Sequence, residues 1–166
     1  MISSSGTRGS RARAEAIKAL ASNRKARYDY HVEETYEAGI ALLGSEVKSI
    51  REGRANLRDS YAAFRGGELF LYNCHVSPYA QASRFNADPL RPRKLLMRRE
   101  EIQRLVGKVE EKGLTLVPLS LYLRGRLVKV GLALARGKKQ YDRREDIQRR
   151  EAEREMARAI RSRGAA

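Results

Sequence analysis

Residues 114–135 read Leu-Thr-Leu-Val-Pro-Leu-Ser-Leu-Tyr-Leu-Arg-Gly-Arg-Leu-Val-Lys-Val-Gly-Leu-Ala-Leu-Ala, two apolar runs separated by a short polar segment. Short apolar runs rich in Leu and Val are typical of strands with little exposure, and a glycine between two polar residues is typical of a tight turn. We therefore expect Leu114–Leu123 and Leu127–Ala135 to form an antiparallel hairpin, joined at Arg124-Gly125-Arg126.

Three more strands are predicted upstream of this hairpin. Residues 28–40 alternate aromatic or β-branched residues with polar ones, which predicts a long strand bulged at Glu33–Glu34 or at Gly39. Strands near 58–65 and 68–76 flank a Gly-Gly pair, which predicts a second hairpin. With about three short helices, this pattern predicts a mainly β protein, specifically an OB-like closed antiparallel β-barrel.

The helices are predicted from caps and apolar spacing. Residues 44–53 form a candidate helix with Ser45 as its N-cap and Gly53 at its end. Residues 94–112 are consistent with one or two helices that end at a glycine, and residues 77–93, which hold three of the four prolines, are expected to form an irregular loop.

The composition divides the chain into three parts. Residues 1–22 are expected to be a flexible basic N-terminal arm, although the later part of this arm could form a short helix. Residues 23–136 are the expected barrel, and residues 137–166 are a basic tail.

The tail places opposite charges at helical spacing, as in Glu145 and Arg149, but its apolar stripe is limited to Ile147, Met156 and Ile160. So little apolar surface cannot offset the entropy of ordering the segment. We expect a tail that is disordered alone and becomes helical on a partner. The alternative is a charged helix that lies on the barrel.

Charge narrows the choice of partner. The chain has 35 Lys and Arg against 20 Asp and Glu, a net charge of +15, and residues 113–136 carry four basic and no acidic residues. Such a field attracts polyanions, most often nucleic acid. The alternative is a basic surface kept only for solubility. A membrane surface is disfavoured, because no segment combines a basic face with a broad apolar one.

Targeting segments and catalytic motifs are absent from the sequence. No apolar run approaches the length of a membrane span or a signal peptide, and lone Cys74 excludes an intrachain disulfide, so we expect a cytoplasmic protein with one buried, inert thiol. His31 and His75 have no metal-ligand spacing. Glu33, Glu34 and Glu37 could serve a metal-dependent nuclease, but they are more typical of solvent-facing charges on a strand. We expect no enzyme, no metal and no cofactor.

Several segments, taken in order, resemble the bacterial SsrA-binding protein family, also called small protein B or SmpB. These segments are 23–30, 36–40, 44–49, 55–61, 88–96, 119–122 and 135–142, so the resemblance covers about residues 23–150. It implies an OB-like barrel that binds the tRNA-like domain of transfer-messenger RNA and works in trans-translation, the rescue of stalled ribosomes. It also implies a tail that enters the decoding centre and the message channel of the ribosome. We expect the free protein to be monomeric.

The resemblance also implies which residues bind RNA. The residues that match positions recognising the tRNA-like domain, or that lie beside them, are Asn23, Arg24, Glu37, Lys94, Leu96 and Lys129. The residues that match the tail motif are Gly137, Lys138, Lys139, Tyr141, Asp142, Arg143 and Arg144. Two alternatives remain for single residues. Glu37 could form an ion pair with a neighbouring Arg, and Leu96 could simply pack a helix against the barrel.

Two other binding classes stay open at this point. A general OB-type binder of single strands would stack bases on aromatic side chains along a groove. A structural ribosomal protein would instead have its basic arms buried in ribosomal RNA.

Overall fold

The structure is a computed structural model that describes residues 16–138 and 140–164. Its elements follow one another along the chain. They are β1 (Ile17–Ser22), α1 (Arg24–Asp29), β2 (Tyr30–Ile40), α2 (Gly44–Arg51), β3 (Ala55–Asn56), β4 (Tyr61–Arg65), β5 (Glu68–Tyr72), β6 (His75–Val76), a 3-10 helix (Ala80–Phe85), β7 (Arg93–Leu96), α3 (Arg99–Lys112), β8 (Thr115–Arg124), β9 (Leu127–Gly137) and α4 (Gln140–Gly164).

The predicted mainly β class is confirmed. Seven strands form one antiparallel sheet in the order β1-β8-β4-β5-β7-β2-β9, and β8 pairs with β9 as well. The short strands β3 and β6 form a second sheet. In the described ranges the chain has four α-helices, compared with the three or so that the sequence predicted.

The hairpin β8–β9 lies at the centre of the fold. Arg124 pairs with Leu127 across the turn, where Gly125 has a φ of +61° that suits glycine. Alternate residues of both strands, such as Leu121 and Leu132, are fully buried in the main hydrophobic core. The second predicted hairpin is also confirmed, since β4 and β5 pair on either side of a Gly-Gly turn.

The first described strand corrects the prediction for the N-terminal arm. Residues 17–22 are neither flexible nor helical, because they form β1, antiparallel to β8. Leu20 and Ala21 pack against the core, and the free edge of β8 supplies the hydrogen bonds. That edge is distant in sequence, so local pattern could not reveal it. The remainder of the predicted arm, up to residue 15, lies outside the described residues.

The predicted strand over residues 28–40 begins two residues late, because α1 continues to Asp29. The side chain of Asn23 caps α1 by accepting a hydrogen bond from the N–H of Ala26 at 3.2 Å. The predicted bulge is confirmed near Glu33, where the register of β2 against β9 shifts between Val32 and Glu34.

The predicted helix over residues 44–53 is confirmed as α2, but its cap differs. The helix already begins at Gly44, so Ser45 is inside its first turn and the N-cap is Leu43. Leu43 offers no polar side chain, and the carboxylate of Glu46 accepts its backbone N–H at 2.9 Å. Gly53 follows the helix with a φ of +76°.

The segment over residues 94–112 is a strand followed by one helix. Its first residues belong to β7, which pairs with both β5 and β2, and α3 starts only at Arg99. The helix ends as predicted, at Gly113 in the left-handed conformation with φ +60°. Local apolar spacing suggested a helix for Lys94, Leu95 and Leu96. The strands that pair with them are distant in the sequence, so no local pattern indicated a strand here.

Most of the tail, residues Gln140–Gly164, forms α4, a helix of 25 residues. This is the conformation predicted for the tail on a partner, and disorder of the tail alone stays a prediction. Near the base of this helix, Asp146 forms a part-buried ion pair with Lys138, the residue after β9, which the sequence pattern did not reveal. Every side chain from residue 147 to residue 164 is exposed, so most of the helix does not lie on the barrel as the alternative proposed.

Cys74 is 1% exposed, as predicted for an inert thiol. Burial raises the pKa of this thiol to about 11, so little reactive thiolate forms near neutral pH. None of the helices in the described ranges is long and apolar enough to cross a bilayer.

Candidate nucleic-acid interface

Three of the predicted RNA-binding residues meet in one open groove. Glu37 on β2, Leu96 on β7 and Lys129 on β9 line it, and its volume is about 740 Å³. The remaining lining residues come from β2, from the segment that leads into α3 and from the first turn of α3, namely Gly39, Met97, Arg98 and Glu101. The groove therefore combines two carboxylates, two cations and apolar surface.

The strand register explains why these residues meet. Gly39 lies opposite Lys129 on one side and opposite Leu96 on the other. A Cβ atom at Gly39 would lie 3.2 Å from the Cβ of Leu96, closer than side chains normally approach. Glycine thus lets the two flanking side chains sit beside each other.

Leu96 is the apolar part of the groove. Half of its surface, 51%, is exposed, which is unusual for a leucine on a central strand. Simple helix-to-barrel packing does not describe a side chain this exposed. Leu96 instead presents apolar surface that an unpaired base could cover.

Glu37 is held in place by two neighbours on β8. The hydroxyl of Tyr122 donates a hydrogen bond to its carboxylate, and Nη2 of Arg124 lies 3.1 Å from the same Oε2. Burial and this hydrogen bond raise the pKa of Tyr122 to about 12, which keeps the phenol protonated and donating. The ion pair that was the alternative for Glu37 is therefore present, and Oε1 takes no part in either contact.

A second hollow of about 300 Å³ adjoins Glu37 on the other side. It is floored by Gly131, which lies opposite both Glu37 and Ser120. A Cβ atom at Gly131 would approach the Ser120 hydroxyl to 3.0 Å, so a larger residue would fill this space. Arg27 and Tyr122 also line the hollow and place a cation and a phenol beside the carboxylate.

Sequence reasoning missed Tyr122, Arg124 and Gly131 as members of this site. A cue was available, because Ser120, Tyr122 and Arg124 alternate with buried leucines along β8. Such alternation indicates a polar stripe on one face of the strand.

Asn23 lies apart from the groove and is 4% exposed. Its amide nitrogen donates to the carbonyls of Pro118 at 2.9 Å and Leu57 at 3.2 Å, and its oxygen caps α1. All its hydrogen-bonding atoms are thus engaged inside the protein. Arg24, the next residue, is exposed at the start of α1.

Lys94 on β7 lies outside the groove of Glu37 and Lys129, but it lines a neighbouring pocket of about 550 Å³ together with Leu96. Its ammonium group lies 2.9 Å from Glu68 of β5, in an exposed ion pair. An exposed pair of this kind contributes little and opens readily, so Lys94 is accessible to a phosphate.

The predicted tail residues are distributed differently. Gly137 is the last residue of β9, and Lys138 is nearly buried against Asp146. Lys139 lies outside the described residues, whereas Tyr141, Asp142 and Arg143 fall in the first turns of α4. Arg144 is exposed on the same helix.

The carboxylates that could have served a nuclease are paired with cations. Glu34 lies 2.6 Å from Lys108, and Glu33 lies 3.3 Å from Arg136. Within the described ranges, His, Cys, Asp and Glu do not form any group of three that could hold a metal ion.

These features define the class of the protein. A basic, mainly β domain with an open groove that combines cations, one oriented acceptor and exposed apolar surface is of the kind that binds nucleic acid. The chain belongs to the SmpB protein family, whose model matches residues 20–162. The resemblance drawn from the sequence motifs is thus confirmed.

Individual relatives agree with this assignment. The chain is 67% identical to an SsrA-binding protein of Symbiobacterium thermophilum over 92% of its own length and 97% of the relative. It is 62% identical to an SsrA-binding protein of Moorella thermoacetica, with 89% and 96% coverage. It also resembles a solved chain, described as "tmRNA-SmpB: a journey to the center of the bacterial ribosome", with TM-score 0.60, 56% identity and coverage of 72% and 84%.

Proposed function

We propose that this chain is a non-catalytic RNA-binding factor of trans-translation. It binds the tRNA-like domain of transfer-messenger RNA and promotes delivery of that RNA to stalled ribosomes. Family membership and the likeness to a chain described with tmRNA and the bacterial ribosome support this function. The observation that carries it is the groove in which Glu37, Leu96 and Lys129 meet.

The groove suits a folded RNA with unpaired bases. RNA helices hide their base edges, so proteins recognise exposed bases and the shape of the backbone. Leu96 can cover a base, Lys129 can neutralise a phosphate, and Oε1 of Glu37 can accept an amino group. A carboxylate repels phosphates, so Glu37 favours RNA that places a hydrogen-bond donor at this point.

Asn23 acts indirectly in this proposal. Its side chain ties the start of α1 to β8 and to residue 57, and α1 carries Arg24 and Arg27. Asn23 therefore positions the two exposed arginines and does not itself contact RNA.

The sheet closes as an OB-like barrel in this proposal. The pairings of β8 with β4 on one side and with β9 on the other support closure, because they return the strand order to its starting point. A closed barrel leaves few open edges and holds the groove strands rigidly.

The tail from residue 137 onwards acts on the ribosome. It enters the decoding centre and the message channel, where it substitutes for the missing anticodon arm and message. The charge pairs and the basic end of α4, with Arg161 and Arg163 in its last turn, suit a helix along a passage lined by RNA. Tyr141 stacks on a base there, a contact worth about 1–3 kcal/mol.

A general single-strand binder remains the second candidate, and one observation favours it. Tyr61 and Tyr72 stack with centroids 5.4 Å apart, and Phe70 lies 6.3 Å from Tyr72. Tyr61 is 43% exposed and could stack on a base. Such a binder would not distinguish a folded RNA from an unfolded one.

Competition between RNAs separates the two candidates. Transfer-messenger RNA and a random RNA of equal length compete for the full chain at moderate salt, which suppresses non-specific phosphate contacts. We expect transfer-messenger RNA to bind at least about tenfold more tightly, a difference of about 1.4 kcal/mol. Equal affinity for both RNAs would exclude the proposed function and leave the single-strand binder.

A further inference from the structure

An apolar pocket of about 550 Å³ lies between β7 and α3, beside the groove of Glu37 and Lys129. Leu69 and Leu95, which are fully buried, close the pocket towards the core. Its sides are formed by apolar residues of β7, of α3 and of the segment between them, namely Leu96, Met97, Ile102 and Val106. A pocket of this size and lining can hold a nucleobase against its apolar walls.

The mouth of the pocket is polar and carries cations. The exposed side chains that line it are Glu68, Lys94, Arg99 and Gln103. Glu68 is paired with Lys94 at 2.9 Å, so its negative charge is offset within the protein, and Arg99 adds a further positive charge. An apolar interior with cations at its entrance suits a nucleotide, because a base has two apolar faces and its phosphate is negative. An apolar side chain of a protein partner would use the interior alone.

Leu96 separates this pocket from the groove. It lines both cavities, and 51% of its surface is exposed. Side chains alternate along β7, so Leu95 points into the core while Leu96 projects outwards between the two cavities. An exposed apolar side chain in this position resembles the wedges that proteins insert between neighbouring bases.

We propose that the pocket between β7 and α3 is a second base subsite, and that Leu96 is a wedge between a base in this pocket and its neighbour in the groove. The inference rests on the proposed function, because the groove must hold RNA for the wedge to act. Unpaired bases of a loop can be splayed apart in this way, whereas bases stacked in a helix resist it. The subsite therefore selects RNA with two consecutive unpaired nucleotides.

A scan with abasic nucleotides tests the second base subsite in the full chain. Synthetic RNAs that contain the tRNA-like domain of transfer-messenger RNA each lack the base at one unpaired position. Each RNA is titrated against the parent protein and against Val106→Trp, whose larger ring occupies the pocket. At one position, loss of the base should weaken binding to the parent on the order of tenfold, but binding to Val106→Trp by less than about twofold.

Two measures keep this scan specific to the pocket. Val106 is half-buried, so thermal melting first establishes that its variants fold. Val106→Glu is a second variant, because a charge in the pocket excludes a base without adding a large ring. Arg104→Gln is its matched control, since it changes the net charge equally at an exposed site of α3 outside the pocket. The control should leave the affinity and the scan unchanged.

The wedge also predicts the order of the two bases in the RNA. Glu37→Ala should remove the response at the base in the groove, and this position should directly neighbour the one that responds to Val106→Trp. The parent alone must show two neighbouring sensitive positions, whether or not the variants fold.

An identical scan for the parent and a folded Val106 variant, or two sensitive positions that are not neighbours, would overturn the second base subsite. The proposed function would survive that result if the parent still bound this RNA more tightly than a random RNA of equal length. Equal affinity for the two RNAs would instead remove the proposed function, and the subsite with it.

Discussion

Single residues of the groove act through their neighbours. The carboxylate of Glu37 faces the groove at a defined angle because Tyr122 and Arg124 both hold its Oε2. An acceptor that is already oriented loses less freedom when it binds, so the neighbours contribute to recognition without touching the RNA.

Removing the Tyr122 hydroxyl should weaken specific binding. In Tyr122→Phe the carboxylate of Glu37 loses one of the two contacts that orient it. We expect transfer-messenger RNA to bind about fivefold more weakly, a loss of about 1 kcal/mol in binding free energy. Tyr79→Phe is the matched control, because the Tyr79 hydroxyl bonds to Gln81 outside the groove. Equal effects of the two variants in equilibrium titrations would show that orientation of Glu37 is unimportant.

A buried cluster of charged residues around Glu46 stabilises the part of the fold that carries the groove. Glu46 is 4% exposed and accepts hydrogen bonds from Leu43, Arg91 and Arg93, with 2.5 Å to Nε of Arg93. Arg93 is fully buried and also donates to the Cys74 carbonyl at 2.6 Å. The cluster ties α2 to the start of β7, which carries Leu96.

Glu46→Gln should destabilise the fold by about 3–5 kcal/mol, because it leaves the Arg93 guanidinium buried without its counter-charge. Urea unfolding measures the change. Glu52→Gln is the matched control, since Glu52 forms only an exposed pair with Arg54 at 3.4 Å, and it should cost at most about 1 kcal/mol. A similar loss in both variants would contradict the importance of burial.

The same cluster predicts a dependence of stability on pH. Burial alone would raise the pKa of Glu46, but the hydrogen bonds from Leu43, Arg91 and Arg93 outweigh it and lower the pKa. The stabilisation is therefore complete above the unfolded value of about 4.3 and is lost as the pH falls through the lower folded value. The stability difference between the parent and Glu46→Gln should shrink below about pH 4. A constant difference across that range would contradict this assignment.

At the scale of elements, the sheet domain and α4 are nearly independent. The strands of the groove all lie before residue 138, and α4 contributes no residue to it. The helix is attached at its base and otherwise exposed, so its removal uncovers little apolar surface.

Truncation after Lys138 should separate two activities. β9 and the bond from Lys138 to Asp29 remain, so affinity for transfer-messenger RNA and thermal stability should change little. Peptide tagging on stalled ribosomes should be abolished, because the tail is absent. Equal loss of binding and tagging would show that RNA binding and tagging are not separate functions of the domain and the tail.

At the scale of the whole molecule, charge attracts RNA and the groove selects it. The net charge of +15 acts over the whole surface and weakens with salt. The hydrogen bonds and the apolar contact in the groove depend much less on salt. Affinity and selectivity should therefore respond differently to ionic strength.

Glu37→Arg tests this division. The variant gains positive charge, so random RNA should bind as well or better at low salt. Specific binding should nevertheless fall, on the order of tenfold at moderate salt, because the oriented acceptor is lost. Titrations of both RNAs at several salt concentrations measure the effect. Tighter specific binding by the variant would show that Glu37 is only a surface charge.

Features of the fold that depend on residues close together in the sequence could be predicted from the sequence. The two hairpins, the bulge near Glu33 and the end of α3 follow from glycines and from alternation, which act within a few residues. The strands β1 and β7 could not be predicted, because their partners are far away along the chain. In the groove, motif resemblance identified Glu37, Leu96 and Lys129, but cross-strand register alone brought in Tyr122 and Gly131.

The sequence by itself determined the family, the mainly β class and the attraction to polyanions, because composition and ordered motifs carry this information residue by residue. Only the tertiary structure decided that Asn23 is an internal support, that Glu37 is oriented from β8, and that Lys138 pairs with Asp146 near the base of α4. These properties arise from contacts between segments up to about a hundred residues apart, such as Asn23 with Pro118 and Glu37 with Tyr122. Folding brings such segments together, and no local pattern records which atoms then meet.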